Sequence, residues 1–246
     1  MIYRPISSEP EDPRLDRHIP DSWSHVTSWP LTASTTPSKP VPVTIGVNWY
    51  SNFDEPEPDS RGRWWIGQGD LGRVRGGHCV CIEPGDPSVG PSEQDTASWY
   101  RKYDQGQEGA CVGFGSSRMM SLLNRRFYDA RWLWNRAKEV DEWPDTNPGD
   151  DNGTSVKAAM DVLRARGHVI YQKAEPTLAD GISANRWATH VDQVLAALQS
   201  PASERMGAVR ILNSWGPSYP RRVWMPFDTL QRLLDEEGEA TVVTDR

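Results

Sequence analysis

The chain has 246 residues, of which 37% are hydrophobic and 25% charged, so it is long and apolar enough to bury a core and is not a disordered chain. Its formal net charge of -7 predicts no general attraction to nucleic acid or to an anionic membrane. Three cysteines are too few, and odd in number, for a disulfide framework, so at least one thiol is expected to be free.

The first part of the chain, residues 1–42, is rich in Pro, Ser, Thr and Asp, and its prolines interrupt every periodic pattern. We expect an extended arm there. The arm contains no apolar stretch typical of a signal peptide, and no later run is long enough to cross a bilayer. A cytoplasmic location is the resulting expectation.

Two strands are predicted in the next part of the chain. Residues 43–50, VTIGVNWY, alternate and are rich in β-branched and aromatic side chains, and residues 78–82 form a second short apolar run. The Gly- and Pro-rich segment between them is a long loop, and loops of that length are often functional. Its Trp64 and Trp65 are candidates for lining a cleft.

Helical spacing of apolar residues follows in four segments, which are residues 111–128, 130–142, 154–167 and 188–199. Thr154 or Ser155 is the expected cap of the third helix. The fourth leads into the strand VRILNSW, and the C-terminal residues predict a turn, a short helix and a last strand. The order of elements indicates an α+β protein.

The segment QGQEGACVGF, residues 105–114, carries the strongest chemical signal. A cysteine at the start of a helix, here Cys111, has its thiolate favoured by the helix dipole and by free backbone N–H groups. Gln105, six residues earlier, can donate its amide to the same point and form an oxyanion hole with the Cys111 N–H. Gly109 allows a close approach of substrate. A lone free cysteine is more often a small buried hydrophobic residue, so the surrounding pattern decides this reading.

That segment resembles, position by position, the active-site signature of the papain-like cysteine peptidases. Two further segments agree: GGHCVCI resembles the family's histidine strand, and NSWG, residues 213–216, is similar to its asparagine motif. The resemblance implies that His78 pairs with the thiolate of Cys111, that Asn213 orients His78, and that Trp215 shields their hydrogen bond from water. The GTS at residues 153–155 is similar to bacterial and viral members.

The resemblance implies a papain-like two-lobed fold, with a helical lobe, a β-barrel-like lobe and the active-site cleft between them. The chain then divides into four parts. An extended N-terminal arm spans residues 1–42, and part of the β-rich lobe, with His78, spans residues 43–102. The helical lobe with Cys111 spans residues 103–186, and the remainder of the β-rich lobe, with Asn213, spans residues 187–246.

The order of the motifs departs from the family. Its members have cysteine, histidine and asparagine in that order, whereas here His78 precedes Cys111, which no simple circular permutation produces. The resemblance implies that a segment has been relocated upstream, and this segment should still occupy its usual place beside VRILNSW. Val112 also replaces a common tryptophan, and Tyr219 and Pro220 replace a second tryptophan-glycine pair, so the shape of the cleft should differ. No propeptide of the usual length is recognisable.

Other chemistries fit less well. His78, Cys79 and Cys81 suggest zinc, but on a strand the two cysteines face the side opposite to the histidine, and no second ligand pair exists. The acidic residues 145–153 have Asp150 where a calcium loop needs glycine. His18, His25, His168 and His190 lie in no motif and are expected to be ordinary surface or hydrogen-bonded histidines.

The sequence therefore predicts a cysteine endopeptidase with a Cys-His-Asn triad, a glutamine oxyanion hole, a polypeptide substrate and no cofactor or metal. Two alternatives stay open. One is a structural or binding protein that retains a papain-like fold, for example in a bacteriophage particle, with a virion or host protein as partner. The other is an amidase that acts on cell-wall peptides.

Overall fold

A computed structural model describes residues 37–84, 103–143, 151–172, 180–220 and 222–245. Residues 1–36 of the expected arm, with His18 and His25, lie outside the described residues, as do residues 144–150 of the acidic segment. The described part of the arm, residues 37–42, contains neither helix nor strand.

Eight strands of the described residues form one sheet with the order β2-β3-β7-β6-β4-β1-β8-β5. All neighbours are antiparallel except β3 and β7. The strands are β1 (Val43–Tyr50), β2 (Glu57–Pro58), β3 (Trp64–Trp65), β4 (Val74–Glu83), β5 (Ala184–Ala188), β6 (Ala208–Leu212), β7 (Val223–Pro226) and β8 (Glu239–Asp245).

Six α-helices accompany the sheet in the described part of the chain. They are α1 (Cys111–Asn124), α2 (Ala130–Val140), α3 (Val156–Ala165), α4 (Val191–Leu198), α5 (Pro201–Met206) and α6 (Phe227–Asp235). The protein is thus an α+β protein. None of the helices described is long and apolar enough to cross a membrane.

The helices begin where the sequence supplies side chains that cap them. Asp129 accepts the backbone N–H of Trp132 at the start of α2, and Ser155 accepts that of Ala158 at the start of α3. Such caps satisfy N–H groups that have no partner within the helix. Ser155 is therefore the cap of the third helix, one of the two residues expected.

Several predicted boundaries differ from the observed ones. The first helix ends at Asn124 because Arg125 adopts a left-handed conformation. The fourth starts three residues later than predicted, since Ala188 pairs with Ala240 in the sheet. The helix Pro201–Met206 was not predicted, and the residues expected to form a turn at Val223–Pro226 form strand β7, because pairing with β6 outweighs the proline.

The position of β4 matters most for the site. It pairs with β6 on one side, with Cys81 opposite Leu212, and with β1 on the other, with His78 opposite Val47. The expectation that the strand of His78 lies beside the strand leading to Asn213 is confirmed. The strand VTIGVNWY lies on the far side of β4 and does not pair with β6 directly.

The core lies between this sheet and helices α1 and α3. Ile45 and Ile82 on the strands, and Met119 and Met160 on the helices, are fully buried. A fully buried aliphatic side chain of this size contributes about 1.5–3 kcal/mol to folding. Packing of α1 onto the sheet is therefore the interaction that sets the position of its N-terminal residue, Cys111.

Candidate active site

Helix α1 approaches the sheet closely because two glycines remove side chains from its contact faces. A Cβ at Gly115 would lie 2.9 Å from Cys79 Sγ, and a Cβ at Gly113 would lie 2.5 Å from the carbonyl oxygen of Ala130. The helix is thus fitted between β4 and α2 with no room for a methyl group on either side. This contact holds Cys111, one turn before Gly115, beside the strand that carries His78.

The Cys111 sulfur lies among backbone N–H groups at the start of α1. Burial raises the pKa of the Cys111 thiol, and the N–H groups of Cys79, Val112 and Cys111 itself lower it by hydrogen bonding to the sulfur. Burial is the larger effect, so the helix start alone does not generate the thiolate expected from the sequence. Because Cys79 directly follows His78, its N–H places the sulfur next to the backbone of the histidine.

His78 and Asn213, 135 residues apart in sequence, meet at the junction of β4 and β6. His78 Nε2 lies 2.8 Å from Asn213 Oδ1, and both residues are buried, with 8% and 9% of their surface exposed. A hydrogen bond between these two residues was expected from the sequence, and such a bond spans about 3 Å. The contact joins two segments that lie far apart in the sequence.

The neighbouring backbone determines which nitrogen of His78 carries the proton. The Ser214 N–H lies 2.7 Å from Asn213 Oδ1, and because an N–H can only donate, this atom of the amide must be the oxygen. The same oxygen therefore accepts from His78 Nε2, which must carry the hydrogen. In the neutral ring, Nδ1 is then left without a proton and can act as a base.

Burial keeps the His78 ring neutral. It lowers the pKa of His78 to about 4, while the hydrogen bond to Asn213 acts in the opposite direction. Since the pKa of Cys111 is raised at the same time, the two groups are a neutral thiol and a neutral imidazole near pH 7. Within the described residues, no hydrogen bond joins the Cys111 sulfur to the His78 ring in this state, and such contacts often tighten only when substrate binds.

Gln105 is tied to the segment that follows Asn213. Its backbone N–H donates to the Ser214 carbonyl at 2.9 Å, and Asp104 forms an antiparallel bridge with Trp215. The buried Gln105 side chain donates from Nε2 to the carbonyl of Glu108 at 3.0 Å. This bond uses one of its two N–H hydrogens and leaves the second for another acceptor.

Two indoles cover the His78 ring. Trp215, predicted as a shield, lies 5.0 Å from it between ring centroids, and Trp49 lies 4.7 Å away in an edge arrangement. Trp49 was not a candidate from the sequence. Only the pairing of β1 and β4 reveals its position, since Trp49 lies opposite Gly76 and therefore diagonal to His78 on the same face.

Tyr219 packs next to Trp215. Its ring meets that of Trp215 edge to face at 5.2 Å, and its hydroxyl donates to the Phe53 carbonyl at 2.9 Å. The shield over His78 is therefore itself supported by a buried aromatic residue that is anchored to the segment after β1.

The other residues proposed for the cleft lie at different distances from His78. Trp64 and Trp65 form β3, three strands from β4, which corresponds to about 14 Å at the usual strand spacing. Among the described residues, no ring contact joins either indole to His78.

At Gly109, the N–H donates to Asp151 Oδ1 at 2.8 Å, and a Cβ there would lie 2.8 Å from the Asp151 carbonyl oxygen.

The remaining cysteines and histidines have structural surroundings. Cys79 and Cys81 are free and buried, and burial raises the pKa of both thiols. His168 is fully buried and bonded to Ser117, so it is not a surface histidine, whereas His190 caps α4. No group of three or more metal-binding side chains occurs in the part of the chain that the structure describes.

Comparison with family models, with curated proteins and with solved structures gave no significant match for this chain.

Proposed function

We propose that the protein is a papain-like cysteine peptidase in which Cys111 is the nucleophile, His78 the general base and acid, Asn213 the residue that orients His78, and Gln105 an oxyanion donor. The observation that carries the proposal is the buried 2.8 Å contact between His78 Nε2 and Asn213 Oδ1. At this contact β4 meets the segment that follows β6, beside the N-terminus of α1.

The tautomer gives this contact a chemical direction. Because Asn213 Oδ1 accepts from both Ser214 N–H and His78 Nε2, the imidazole presents an unprotonated Nδ1. A base for a thiol needs an accessible lone pair, and this arrangement supplies one.

The proposed reaction starts from the neutral pair. As the Cys111 sulfur attacks the scissile carbonyl carbon, its proton moves to His78 Nδ1, and the carbonyl oxygen becomes an oxyanion. His78 then protonates the leaving amine, and the C–N bond breaks to give a thioester. A water molecule, deprotonated by the same Nδ1, hydrolyses the thioester and regenerates the thiol.

Charge develops on the oxyanion, and preorganised N–H donors stabilise it. The second N–H hydrogen of Gln105 Nε2 and the backbone N–H of Cys111 are the donors at hand. Burial of His78 favours transfer of the proton from its imidazolium to the leaving amine, because burial lowers the pKa of His78 to about 4.

The test uses a peptidyl vinyl sulfone, which alkylates only an activated cysteine in a peptide-binding cleft, together with a peptide substrate mixture. We expect labelling of Cys111 and not of Cys79 or Cys81. Cys111→Ala and His78→Ala should nearly abolish turnover, Gln105→Ala should lower kcat on the order of a hundredfold, and Asn213→Ala should be milder. His190→Ala, at an exposed histidine, is the matched control and should keep full activity.

The outcomes separate the possible functions. Turnover of cell-wall peptides alone would indicate the amidase. A folded protein that neither cleaves peptides nor reacts with the vinyl sulfone would indicate a structural or binding role. Full activity of Cys111→Ala would refute the mechanism even if the fold were correct.

A further inference from the structure

Trp49 is held over His78 by a polar contact that the proposed mechanism does not use. The indole is only 2% exposed, and it contacts the rings of both His78 and Trp215, at 4.7 and 5.3 Å between centroids. Its Nε1 hydrogen donates to Asp54 Oδ1 at 3.0 Å. Asp54 thus fixes the rotation of the indole that forms one wall of the histidine site.

Asp54 also binds the strand that carries His78. Its second carboxylate oxygen forms an ion pair with Arg75 Nε at 3.2 Å, and the two side chains are 26% and 16% exposed. Arg75 precedes His78 by three residues in β4. One carboxylate therefore connects the indole above the histidine with the backbone that leads to it.

A β-bulge explains why Arg75 points to Asp54. Trp49 lies opposite Gly76 and Tyr50 opposite Val74, so Arg75 is an extra residue in β4 without a partner position on β1. Gly76 has φ +140°, a conformation that favours glycine. Bulges redirect side chains and increase strand twist, often next to functional sites.

The hydrogen bond to Asn213 does not fix the orientation of the His78 ring completely. The contacts of Trp49 and Asp54 restrict the rotation that remains. A single bond at Nε2 fixes the position of one ring atom, but the ring can still swing about it. Such a movement would change the direction in which Nδ1 points. The Trp49 indole packs against the ring at 4.7 Å between centroids and restricts its movement, and the position of the indole depends on Asp54.

We propose that Asp54 is a positioning residue that holds the His78 ring toward Cys111 through Trp49 and Arg75. This inference rests on the proposed function, because its readout is the reactivity of Cys111. A displaced general base lowers the rate even when every catalytic group is present, and a misplacement of about 1 Å can cost about a hundredfold.

The experiment measures the alkylation rate of Cys111 by iodoacetamide from pH 4 to 9, with circular dichroism as a check of folding. Asp54→Ala should lower the rate between about tenfold and a hundredfold and change the pH profile. Asp54→Asn should retain more of the rate than Asp54→Ala, because its amide oxygen still accepts from Trp49 although the ion pair with Arg75 is lost. Trp49→Phe should resemble Asp54→Ala, and adding Asp54→Ala to Trp49→Phe should have little further effect.

The reference variant is His78→Ala, which separates the two proposals. If His78→Ala does not slow alkylation of Cys111, the proposed function fails. If His78→Ala slows it and Asp54→Ala leaves both rate and pH profile unchanged, the positioning role of Asp54 is overturned while the peptidase mechanism stands. If Asp54→Asn loses as much as Asp54→Ala, the route through Trp49 is wrong. Should Asp54→Ala unfold, Trp49→Phe decides alone, and an unchanged rate overturns the inference.

Discussion

Replacing the buried His168 should make the protein less sensitive to acid. His168 lies in the helical part of the protein, stacked on Tyr128 at 4.6 Å. Its Nδ1 accepts the Val169 N–H at 2.9 Å, so Nε2 carries the hydrogen and donates to Ser117 Oγ at 2.8 Å. Protonation would add a hydrogen at Nδ1, where the backbone N–H already points, and burial lowers the pKa of His168 to about 3.

The size of the effect follows from the difference between the folded and unfolded states. The unfolded chain takes up a proton at His168 below pH 6.5, whereas the folded protein does so only near pH 3. The contribution of the neutral histidine is complete above pH 6.5 and is lost as the pH falls, by about 1.4 kcal/mol per pH unit. At pH 4.5 the loss at this one residue is about 3 kcal/mol.

The assay compares urea unfolding of wild type and His168→Gln at pH 7 and pH 4.5. At pH 7 the variant should be less stable by about 2 kcal/mol, because the buried ring stacking is lost. At pH 4.5 the order should reverse, with the variant more stable by about 1 kcal/mol, since glutamine has no proton to gain. Ser117→Ala breaks the same contact without removing a titrating group, so its cost should be equal at both values. An unchanged deficit of His168→Gln at pH 4.5 would refute the reasoning.

Three further perturbations test the packing and charge of the fold. Burial raises the pKa of Glu239 to about 6, so Glu239→Gln should stabilise the protein at pH 7 by up to about 2 kcal/mol, and urea unfolding should show this gain disappearing by pH 4.5. Glu83 is buried and paired with two arginines, so Glu83→Gln should lower the free energy of unfolding by about 3 kcal/mol in the same urea experiment. Gly115→Ala places a methyl group against Cys79, so overpacking of about 1–3 kcal/mol should exceed the roughly 1 kcal/mol gained in helix propensity. It should also slow alkylation of Cys111, whereas Gly153→Ala, with no atom within 4 Å, should change neither stability nor rate.

The long periodic elements were predictable because their patterns repeat several times. Helix α2 begins at Ala130 as predicted, and β1 spans the predicted residues 43–50. Short elements were not predictable for the opposite reason. Pro201–Met206 has only six residues, and the two residues of Trp64–Trp65 become a strand only by pairing with Glu57–Pro58 and with Trp224. Such pairing is a tertiary contact that no local window contains.

The motifs predicted which residues form the candidate site, but not the aromatic side chains around them or the ionisation of the cysteine. The motifs identified His78 and Asn213, and their contact is found in the structure. They carried no information on Trp49, whose role depends on cross-strand register, or on the ionisation of Cys111. The helix start favours a thiolate, but the balance against burial depends on how deeply the helix is packed.

Antiparallel pairing explains how His78 and Asn213 can meet whatever the order of their segments in the chain. In the pair of β4 and β6, Cys81 lies opposite Leu212, so stepping backward along β4 corresponds to stepping forward along β6. His78 lies three residues before Cys81 and Asn213 one residue after Leu212, and both therefore lie at the same end of the pair. Nothing in this register depends on which strand is made first, or on whether α1 lies between them in the sequence. The only constraint on the chain is that the loops joining these elements are long enough to span the distance between them. The free-energy cost of closing a longer loop grows slowly with its length.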